Sequence, residues 1–399
     1  MIKAFYNANI ITGENKEVIN SGKGYILFNN DNGKIIDIGE NFEEKASSLV
    51  YDETFNLKGN WILPGLINGH VHIMRNGSAH PDALIKNESM EMITLHALKN
   101  AKEHLDIGVT SVRDLGSTGL TTLAVRDAVK TGLFDAPSIS SCGTPLIMTG
   151  GHFRTGKEVD GEDEVRKGTR QLLKQGVDVV KLFATGGIYS EGEEPGSPQL
   201  TKEEIQVAVE EAHKKNIPVA CHAQGLTGIY NCLHAGVDTI EHAIYADEKA
   251  LELFVTQGTF MVPTMVAMVR IAEGKEYGIP EYAVEKAKVV VETHFSMLEK
   301  AVEYGVKIAT GTDAGSPCNP PEDLFKELEI MKQAGMSELD VIEASTSVAA
   351  EAINFKDRGV LRKGAYADML VVNSNPLDDI KHLKEQNMVI KNGEIIKNN

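Results

Sequence analysis

A regular alternation of short apolar runs with longer amphipathic stretches constrains the fold of this chain more than any other feature of its sequence. Between about residues 63 and 363, stretches with helical spacing, such as 202–215 and 283–304, separate most of the apolar runs. The runs lie at 66–71, 109–112, 138–142, 177–183, 217–221, 239–241, 259–263 and 306–310. About eight strands, each followed by a helix, match the size and period of a (β/α)8 TIM barrel, so we predict an α/β fold of this type over residues 63–363.

A doubly wound open sheet is the alternative topology for the same alternation. Dinucleotide-binding folds of that kind carry a Gly-x-Gly-x-x-Gly motif directly after their first strand. This chain has no such motif after its first apolar run. The barrel is therefore the favoured prediction.

The two ends of the chain share a different pattern, in which short β-like runs are broken by turns. The runs lie at 8–12, 24–28 and 34–39 in the N-terminal part and at 368–372 and 388–396 in the tail. The sequence Asp31-Asn32-Gly33 predicts a tight hairpin between the second and third runs. We therefore predict one small, discontinuous β-sandwich domain made from residues 1–62 and 364–399.

The composition is acidic and excludes two classes of partner. The chain has 40 Lys and Arg against 57 Asp and Glu, a formal net charge of −17, whereas binding to a phosphate backbone requires a positive surface. No stretch approaches the ~20 apolar residues of a membrane span, and the first residues lack the pattern of a secretory signal. The four cysteines are scattered without a Cys-x-x-Cys motif, so we expect reduced thiols and a cytoplasmic location.

Two histidines, His70 and His72, close the first apolar run and are the first candidate metal ligands. Alternate side chains of a strand point to the same face, so the two imidazoles can bind one ion. Because the chemistry of a (β/α)8 barrel lies at the C-terminal ends of its strands, further ligands should end other runs. Ligating side chains do lie in such places, at Lys181, His222, His242 and Asp313.

The residues around these candidates resemble the amidohydrolase superfamily, and the resemblance covers essentially the whole chain, with a two-domain architecture of the imidazolonepropionase type. The motifs are 180–187 (VKLFATGG), 220–225 (ACHAQG), 240–243 (IEHA) and 311–315 (GTDAG). They look like the branch that contains Xaa-Pro dipeptidases (prolidases), carboxypeptidases that remove basic C-terminal residues, and ochratoxin-type amidases.

The resemblance implies two divalent metal ions, commonly zinc, bridged by a hydroxide and by a carboxylated Lys181. The implied ligands are His70, His72 and Asp313 for one ion and His222 and His242 for the other. An ammonium group cannot bind a cation, so Lys181 must be neutral before it reacts with CO₂ to give the carbamate. Burial beside the metals favours that neutral form.

The chemistry that this arrangement implies is hydrolysis of an amide bond by the metal-bridging hydroxide, without a covalent intermediate. Asp313 should take the proton of the hydroxide and pass it to the leaving amine, so Asp313 and Lys181 are the predicted catalytic residues. The expected substrate is a small molecule, either a dipeptide or an N-acyl amino acid with a free C-terminal carboxylate. Relatives often assemble, so a homo-oligomer is a further expectation.

Two other residues resemble substrate-binding residues of the branch. His152 follows the third run of the barrel, and Tyr230 lies in the segment after the fifth run, where it would meet the carboxylate or the polarised carbonyl. We interpret the remaining histidines as structural: His80, His96, His104, His213, His234, His294 and His382. The segment from residue 265 to about 280 lacks clear periodicity and is a lid, a pocket wall or a long loop.

Two other functions compete with amide hydrolysis. A mononuclear deaminase or cyclic-amide hydrolase of the same superfamily is the nearest, but a deaminase needs an acid near the fifth-strand histidine. Here Ala223-Gln224-Gly225 follow His222, and Lys181 would have no use. A non-catalytic assembly protein is the third interpretation, although such relatives usually lose ligands and this chain keeps all six.

Overall fold

The computed structural model describes residues 1–46, 50–189 and 195–398. The strands are β1 (Ile2–Ile11), β2 (Val18–Asn29), β3 (Lys34–Glu40), β4 (Glu53–Asn56), β5 (Trp61–Pro64), β6 (Leu66–Val71), β7 (Val109–Asp114), β8 (Ser138–Ser141), β9 (Leu146–Ile147), β10 (Lys157–Glu158), β11 (Val180–Phe183), β12 (Val219–Ala223), β13 (Thr239–His242), β14 (Phe260–Val262), β15 (Met369–Val372), β16 (Gln386–Lys391) and β17 (Glu394–Asn398).

The helices occupy mainly the central part of the chain. They are α1 (Phe42–Lys45), α2 (Asp82–Asn87), α3 (Met90–Asp106), α4 (Thr121–Lys130), α5 (Glu162–Gln175), α6 (Lys202–His213), α7 (Leu226–Ala235), α8 (Glu248–Gln257), α9 (Met265–Glu273), α10 (Glu281–Tyr304), α11 (Leu324–Gln333), α12 (Glu338–Ala344) and α13 (Ser347–Ala352). Over the described ranges, no helix is long and apolar enough to cross a membrane.

Strands from both ends of the chain form one eight-stranded sheet. Its order is β17-β16-β15-β5-β1-β2-β3, with β4 also pairing with β1. The hairpin predicted at Asp31-Asn32-Gly33 is confirmed, because β2 and β3 pair antiparallel on either side of it. The predicted sandwich is thus a single hydrogen-bonded sheet among the described strands, since β5 continues the ladder between β1 and β15.

The central part of the chain contains parallel strands in two sheets. One sheet has the order β6-β7-β8 and the other has the order β10-β9-β11-β12-β13-β14. Near one edge, the amide of Asp178 donates to the carbonyl of Ser141 at 2.9 Å. At the other edge, isolated bridges join Val71 to Ala314 and Met261 to Ile308. Backbone contacts therefore connect the two sheets on both sides.

Local sequence signals explain where several elements begin. Thr201 and Glu204 form a reciprocal capping box at the start of α6, and the Asp247 side chain accepts from the amide of Ala250 at the start of α8. These caps define where α6 and α8 begin. Buried apolar side chains of helices and parallel strands then join in one large core, to which Leu182, Ile240 and Ile205 belong.

The structure departs from the predicted elements in two places. The run at 306–310 is not a strand and makes only the bridge from Ile308, although each of the other runs contains an observed strand. The segment from residue 265 to 280 is not a long loop, because it forms α9 and a 3-10 turn at Gly274–Tyr277. The helical spacing of its apolar residues 265, 268 and 271 was not recognised from the sequence, whereas the predicted alternative of a pocket wall agrees with Met268 and Ile271, which line the cavity.

Candidate active site

All six predicted ligands surround one cavity of about 430 Å³. They are contributed by β6 and the residue after it, by β11, β12 and β13, and by the loop that follows the run at 306–310. The cavity-lining ligands are His70, His72, Lys181, His222, His242 and Asp313. The structure therefore brings together residues that are far apart in the sequence.

One group of these residues has the geometry of a metal site. The Nε2 atom of His72 lies 3.0 Å from Oδ1 of Asp313, and that of His70 lies 3.5 Å from the same oxygen. One potential ligand atom from each of the three residues falls within 4.8 Å of the others. Imidazole nitrogens with a carboxylate oxygen suit zinc or a similar divalent ion.

His222 and His242 form a second group beside the first. Their ring centroids are 4.6 Å apart, and the ring of His242 lies 5.4 Å from that of His70. Nδ1 of His242 contacts the Thr264 hydroxyl at 2.6 Å, which orients the ring. Burial lowers the pKa of both imidazoles, so both favour the neutral form that ligates metals.

Lys181 is the most unusual member of the set. Its side chain is completely buried, and its Nζ atom has no hydrogen-bond partner among the residues that the structure describes. Burial lowers the pKa of this amine, because an unpaired charge in the interior is costly. An orphaned, readily neutral amine among four histidines fits a carboxylated lysine that holds two metal ions, whereas it fits no structural ion pair.

A buried ionic network lies behind His70. The guanidinium of Arg113 donates from Nη2 to Oε1 of Glu241 at 2.9 Å, and Oε2 of Glu241 lies 2.8 Å from Nδ1 of His70. Arg113 and Glu241 are fully buried. Burial would raise the pKa of Glu241, but the charge of Arg113 and the bond to His70 outweigh it and keep that pKa below its usual range.

This network selects the tautomer of His70. An ionised Glu241 accepts a hydrogen bond from Nδ1–H, which leaves Nε2 unprotonated on the side that faces Asp313. Burial lowers the pKa of His70 to about 4, so its imidazole stays neutral at physiological pH. Glu241 thus orients a candidate metal ligand.

Two of the ligands sit on strained backbone. His242 has φ 73° and Asp313 has φ 58°, in the left-handed region that non-glycine residues seldom adopt. Such strain persists only where surrounding contacts over-determine it, and it concentrates at functional sites. The left-handed conformation at each residue accompanies a side chain that lines the cavity.

His152, one of the two predicted substrate-binding residues, does line the cavity. Its ring lies 4.8 Å from the ring of His222 and 5.5 Å from that of Phe183. Gly187 allows this approach, since a Cβ atom there would lie 2.4 Å from the His152 ring. The structure therefore places His152 beside the candidate ligands.

Tyr230, the other predicted substrate-binding residue, is not among the cavity-lining residues that the structure describes. It lies on α7, where its hydroxyl donates to Asp247 at 2.8 Å and its ring stacks on His234. The helical rotation between the end of β12 and this position turns the side chain towards the start of α8. Its contacts are therefore with residues of α7 and the start of α8, and the structure lends no support to its predicted contact with substrate.

Several cavity residues were not predicted from the sequence. His80 was interpreted as structural, but it lines the cavity together with Arg75, Phe153 and Arg154. These residues lie in the loops after β6 and β9, which show no periodic pattern. Each basic residue resembles an ordinary surface residue until the fold places it at the opening.

Comparisons with known proteins agree with this geometry. The chain matches the model of the amidohydrolase family over residues 61–396. A crystal structure of a Xaa-Pro dipeptidase with methionine bound in its active site superposes with a TM-score of 0.90 at 31% identity, covering 100% of both chains.

Two curated relatives have different activities. Ochratoxinase from Aspergillus niger is 29% identical over 374 residues, covering 84% of this chain and 75% of the relative. A 5-methylthioadenosine/S-adenosylhomocysteine deaminase from Bacillus cereus is 25% identical over 440 residues, covering 99% of this chain and 93% of the relative. The predicted resemblance and the predicted hydrolase class are confirmed: this chain is a hydrolase that belongs to the amidohydrolase family.

Proposed function

We propose that this protein is a binuclear, metal-dependent amidohydrolase that cleaves a dipeptide or an N-acyl amino acid in the manner of an Xaa-Pro dipeptidase. The observation that carries the proposal is the buried Nζ of Lys181, which has no hydrogen-bond partner among the described residues, in the cavity that His70, His72, His222, His242 and Asp313 also line. A mononuclear site would leave this amine without a role, whereas a carboxylated lysine gives two ions a shared anionic ligand.

The proposed ligand sets are His70, His72 and Asp313 for one ion and His222 and His242 for the other, with carboxylated Lys181 between them. Imidazole and carboxylate ligands favour zinc among the common divalent ions. Two such ions would lower the pKa of water to near neutrality and polarise the scissile carbonyl.

The protein's own residues would then move the proton and hold the substrate. The Asp313 carboxylate would accept a proton as the nucleophile attacks and deliver it to the leaving amine. Its pKa is held below the usual range, since hydrogen bonding with His72 and the nearby imidazoles outweigh the effect of burial. His152, next to His222, would contact the substrate within the cavity.

The arrangement of the two parallel sheets is a second part of the proposal. We infer that the two parallel sheets form one closed (β/α)8 barrel over residues 63–363, with the terminal sheet as a separate domain from residues 1–62 and 364–399. The contacts of Val71 with Ala314 and of Met261 with Ile308 support closure at one side. The homo-oligomer and the cytoplasmic location predicted from the sequence stay predictions.

The test combines metal analysis with a substrate screen. Purified, metal-replete protein should contain about two divalent ions per chain and should hydrolyse dipeptides that vary at the C-terminal residue. A preference for Pro, for Lys or Arg, or for none of these would separate the three activities of the resembled branch. One bound ion together with ammonia release from 5-methylthioadenosine, and no dipeptide hydrolysis, would contradict the proposal in favour of deamination.

The deaminase alternative is supported by a relative that covers almost all of this chain. Against it, the residues after His222 provide no acid to shuttle a proton to a ring nitrogen, and Gln224 occupies the cavity wall there. Amide hydrolysis therefore remains the better account of the site.

A further inference from the structure

The opening of the active-site cavity carries positive charge in an acidic protein. Apart from the proposed metal ligands, the described cavity-lining residues include three cations, Arg75, Lys86 and Arg154, and one anion, Asp82. The whole chain has a formal charge of −17. A concentration of cations at this one place favours a substrate whose non-reacting part is anionic.

Arg75 differs from the other two cations because its side chain is held in place. Only 13% of its side chain is exposed, whereas Lys86 and Arg154 are exposed. Its guanidinium carbon lies 4.5 Å from the centre of the Phe153 ring, and its Nη2 atom lies 2.8 Å from Oδ1 of Asp82. Contact with an aromatic face and one ion pair orients the guanidinium before any ligand arrives.

The position of Arg75 links the opening to the proposed metal site. Its backbone amide donates to the carbonyl of His72 at 2.9 Å, so both side chains belong to one turn after β6. The Phe153 ring contacts both side chains, with its centroid 5.4 Å from that of the His72 ring and 4.5 Å from the guanidinium carbon of Arg75. Arg75 and the proposed metal ligand His72 therefore line the same cavity.

The guanidinium of Arg75 retains hydrogen-bonding capacity for a ligand. A guanidinium has five N–H donors in a planar fork that matches a carboxylate. Among the described residues, Asp82 supplies the one carboxylate within ion-pair distance, and that side chain is 45% exposed. This ion pair engages Nη2, whereas Nε of Arg75 has no hydrogen-bond partner among the described residues, so the fork can take a second anion.

We propose that Arg75 binds the free carboxylate of the substrate and thereby determines specificity for substrates with an unblocked C-terminus. The inference rests on the proposed amide hydrolysis and adds the residue that recognises the leaving amino acid. Lys86 and Arg154 raise the local positive potential, but they do not form the hydrogen-bonded ion pair with the carboxylate.

The test compares a dipeptide with the same dipeptide whose C-terminal carboxylate is amidated. Wild-type enzyme should prefer the free acid in kcat/KM by on the order of 10- to 100-fold, as one charge-assisted contact provides. Arg75→Met should bring this ratio close to one, mainly through a higher KM for the acid. Arg75→Lys should retain part of the ratio, because it keeps the charge but loses the fork.

Arg126→Met is the matched control. Arg126 is also mostly buried, with 15% of its side chain exposed, and it pairs with Asp178 at 2.8 Å, but it does not line the cavity. The acid-to-amide ratio should be unchanged in this variant. If Arg75→Met does not fold, the comparison of Arg75→Lys with Arg126→Lys still tests the proposal, because only the former should reduce the ratio.

The outcomes separate this proposal from the proposed function. Hydrolysis of neither compound by the wild type would contradict amide hydrolysis itself. Equal hydrolysis of both would leave amide hydrolysis intact and overturn carboxylate recognition. A folded Arg75→Met enzyme with the wild-type ratio would show that another cation binds the carboxylate and would overturn the assignment to Arg75.

Discussion

Neutralising Glu241 by the substitution Glu241→Gln should weaken both the fold and the metal site. The change keeps the shape of the side chain but removes the negative charge between Arg113 and His70, which contact its two oxygens at 2.9 and 2.8 Å. Thr239 adds a third contact, since its hydroxyl lies 2.6 Å from Oε1. Every member of this network is buried.

The expected cost follows from the burial of the partners. Removing one charge of a buried ion pair leaves the other uncompensated, which destabilises a protein by about 3–5 kcal/mol. The amide group of glutamine can also turn its NH₂ towards Nδ1 of His70, which favours protonation of Nε2 and opposes metal binding. Loss of a group that orients a metal ligand weakens metal affinity by roughly 10- to 100-fold.

Two measurements check these magnitudes. Urea unfolding of the metal-free protein gives the change in the free energy of unfolding, and competition with a chromophoric chelator gives the affinity for Zn²⁺. The double variant Arg113→Met/Glu241→Gln should be more stable than Glu241→Gln alone, because no charge is then left uncompensated. Part of the loss of metal affinity should persist, since a neutral amide oxygen accepts the hydrogen bond from Nδ1–H of His70 more weakly than a carboxylate does.

Glu211→Gln is the matched control for this experiment. Glu211 also pairs with arginines, but Arg170 is 60% exposed and Arg166 is 31% exposed, so solvent can replace the lost contacts. We expect a loss of about 1 kcal/mol or less and unchanged metal affinity. If Glu241→Gln were as stable as Glu211→Gln and bound Zn²⁺ like the wild type, the account of the network would be refuted.

Four further outcomes are expected. Lys181→Ala should lose activity, and short carboxylic acids should restore part of it by replacing the carbamate in a rescue assay. Asp313→Asn should retain metal, because asparagine tolerates the left-handed backbone, but should lose turnover by orders of magnitude. Tyr230→Phe should leave kcat/KM within about twofold, since its hydroxyl has its partner outside the cavity. Burial raises the pKa of Glu327 to about 8, although two backbone amides donate hydrogen bonds to its carboxylate. The free energy of unfolding, measured by urea titration, should therefore decrease as the pH rises from about 5 to 8. Glu327→Gln should remove this pH dependence.

Each of these four predictions would be contradicted by a specific result. Wild-type turnover in unrescued Lys181→Ala would remove the lysine as a metal bridge, and near-normal rates in Asp313→Asn would remove the aspartate as the proton carrier. A large loss of activity in folded Tyr230→Phe would place that hydroxyl in the reaction after all. For Glu327, a raised pKa means that the folded state binds more protons than the unfolded state over this pH range. If the free energy of unfolding depends on pH equally in the wild type and in Glu327→Gln, the titration belongs to another group.

The candidate metal ligands that line the cavity could be identified from the sequence because strand geometry gives them a regular signal. His70 and His72 share one face of a strand through its two-residue period, and the other ligands accompany buried apolar runs that are visible in the sequence. Parallel strands bring such ends to one side of the sheet. Lys181 was found because the motif around it resembles the family, not because a lysine in a strand is informative.

The ionic network and the basic opening could not be predicted in the same way. Arg113 and Glu241 are neighbours in space but belong to different strands, and Glu241 next to His242 suggests side chains on opposite faces. The φ of 73° at His242 turns the chain and lets both side chains serve one site. Arg75 and His80 lie in an irregular loop, where only the three-dimensional path decides which residues reach the cavity.

Tyr230 illustrates a different limit. Tyr230 was predicted to bind substrate because the segment around it resembles the family, and this segment forms α7. Within a helix, each step in the sequence rotates the side chain by a large angle. An error of one residue in the alignment is enough to move a side chain from the cavity to the interface between helices. Resemblance transfers reliably where strand ends anchor the register and less reliably beyond them.

The terminal sheet has a consequence for how the chain reaches its native state. β5 pairs with β1 and with β15, so the strand that leads into His70 receives one neighbour early and the other only after the rest of the chain has been synthesised. Contacts between such distant segments form late and slow the folding reaction. During translation, the edge of β5 therefore remains unpaired while the metal-ligand segments emerge, which makes it a candidate binding site for chaperones and a point where aggregation can begin.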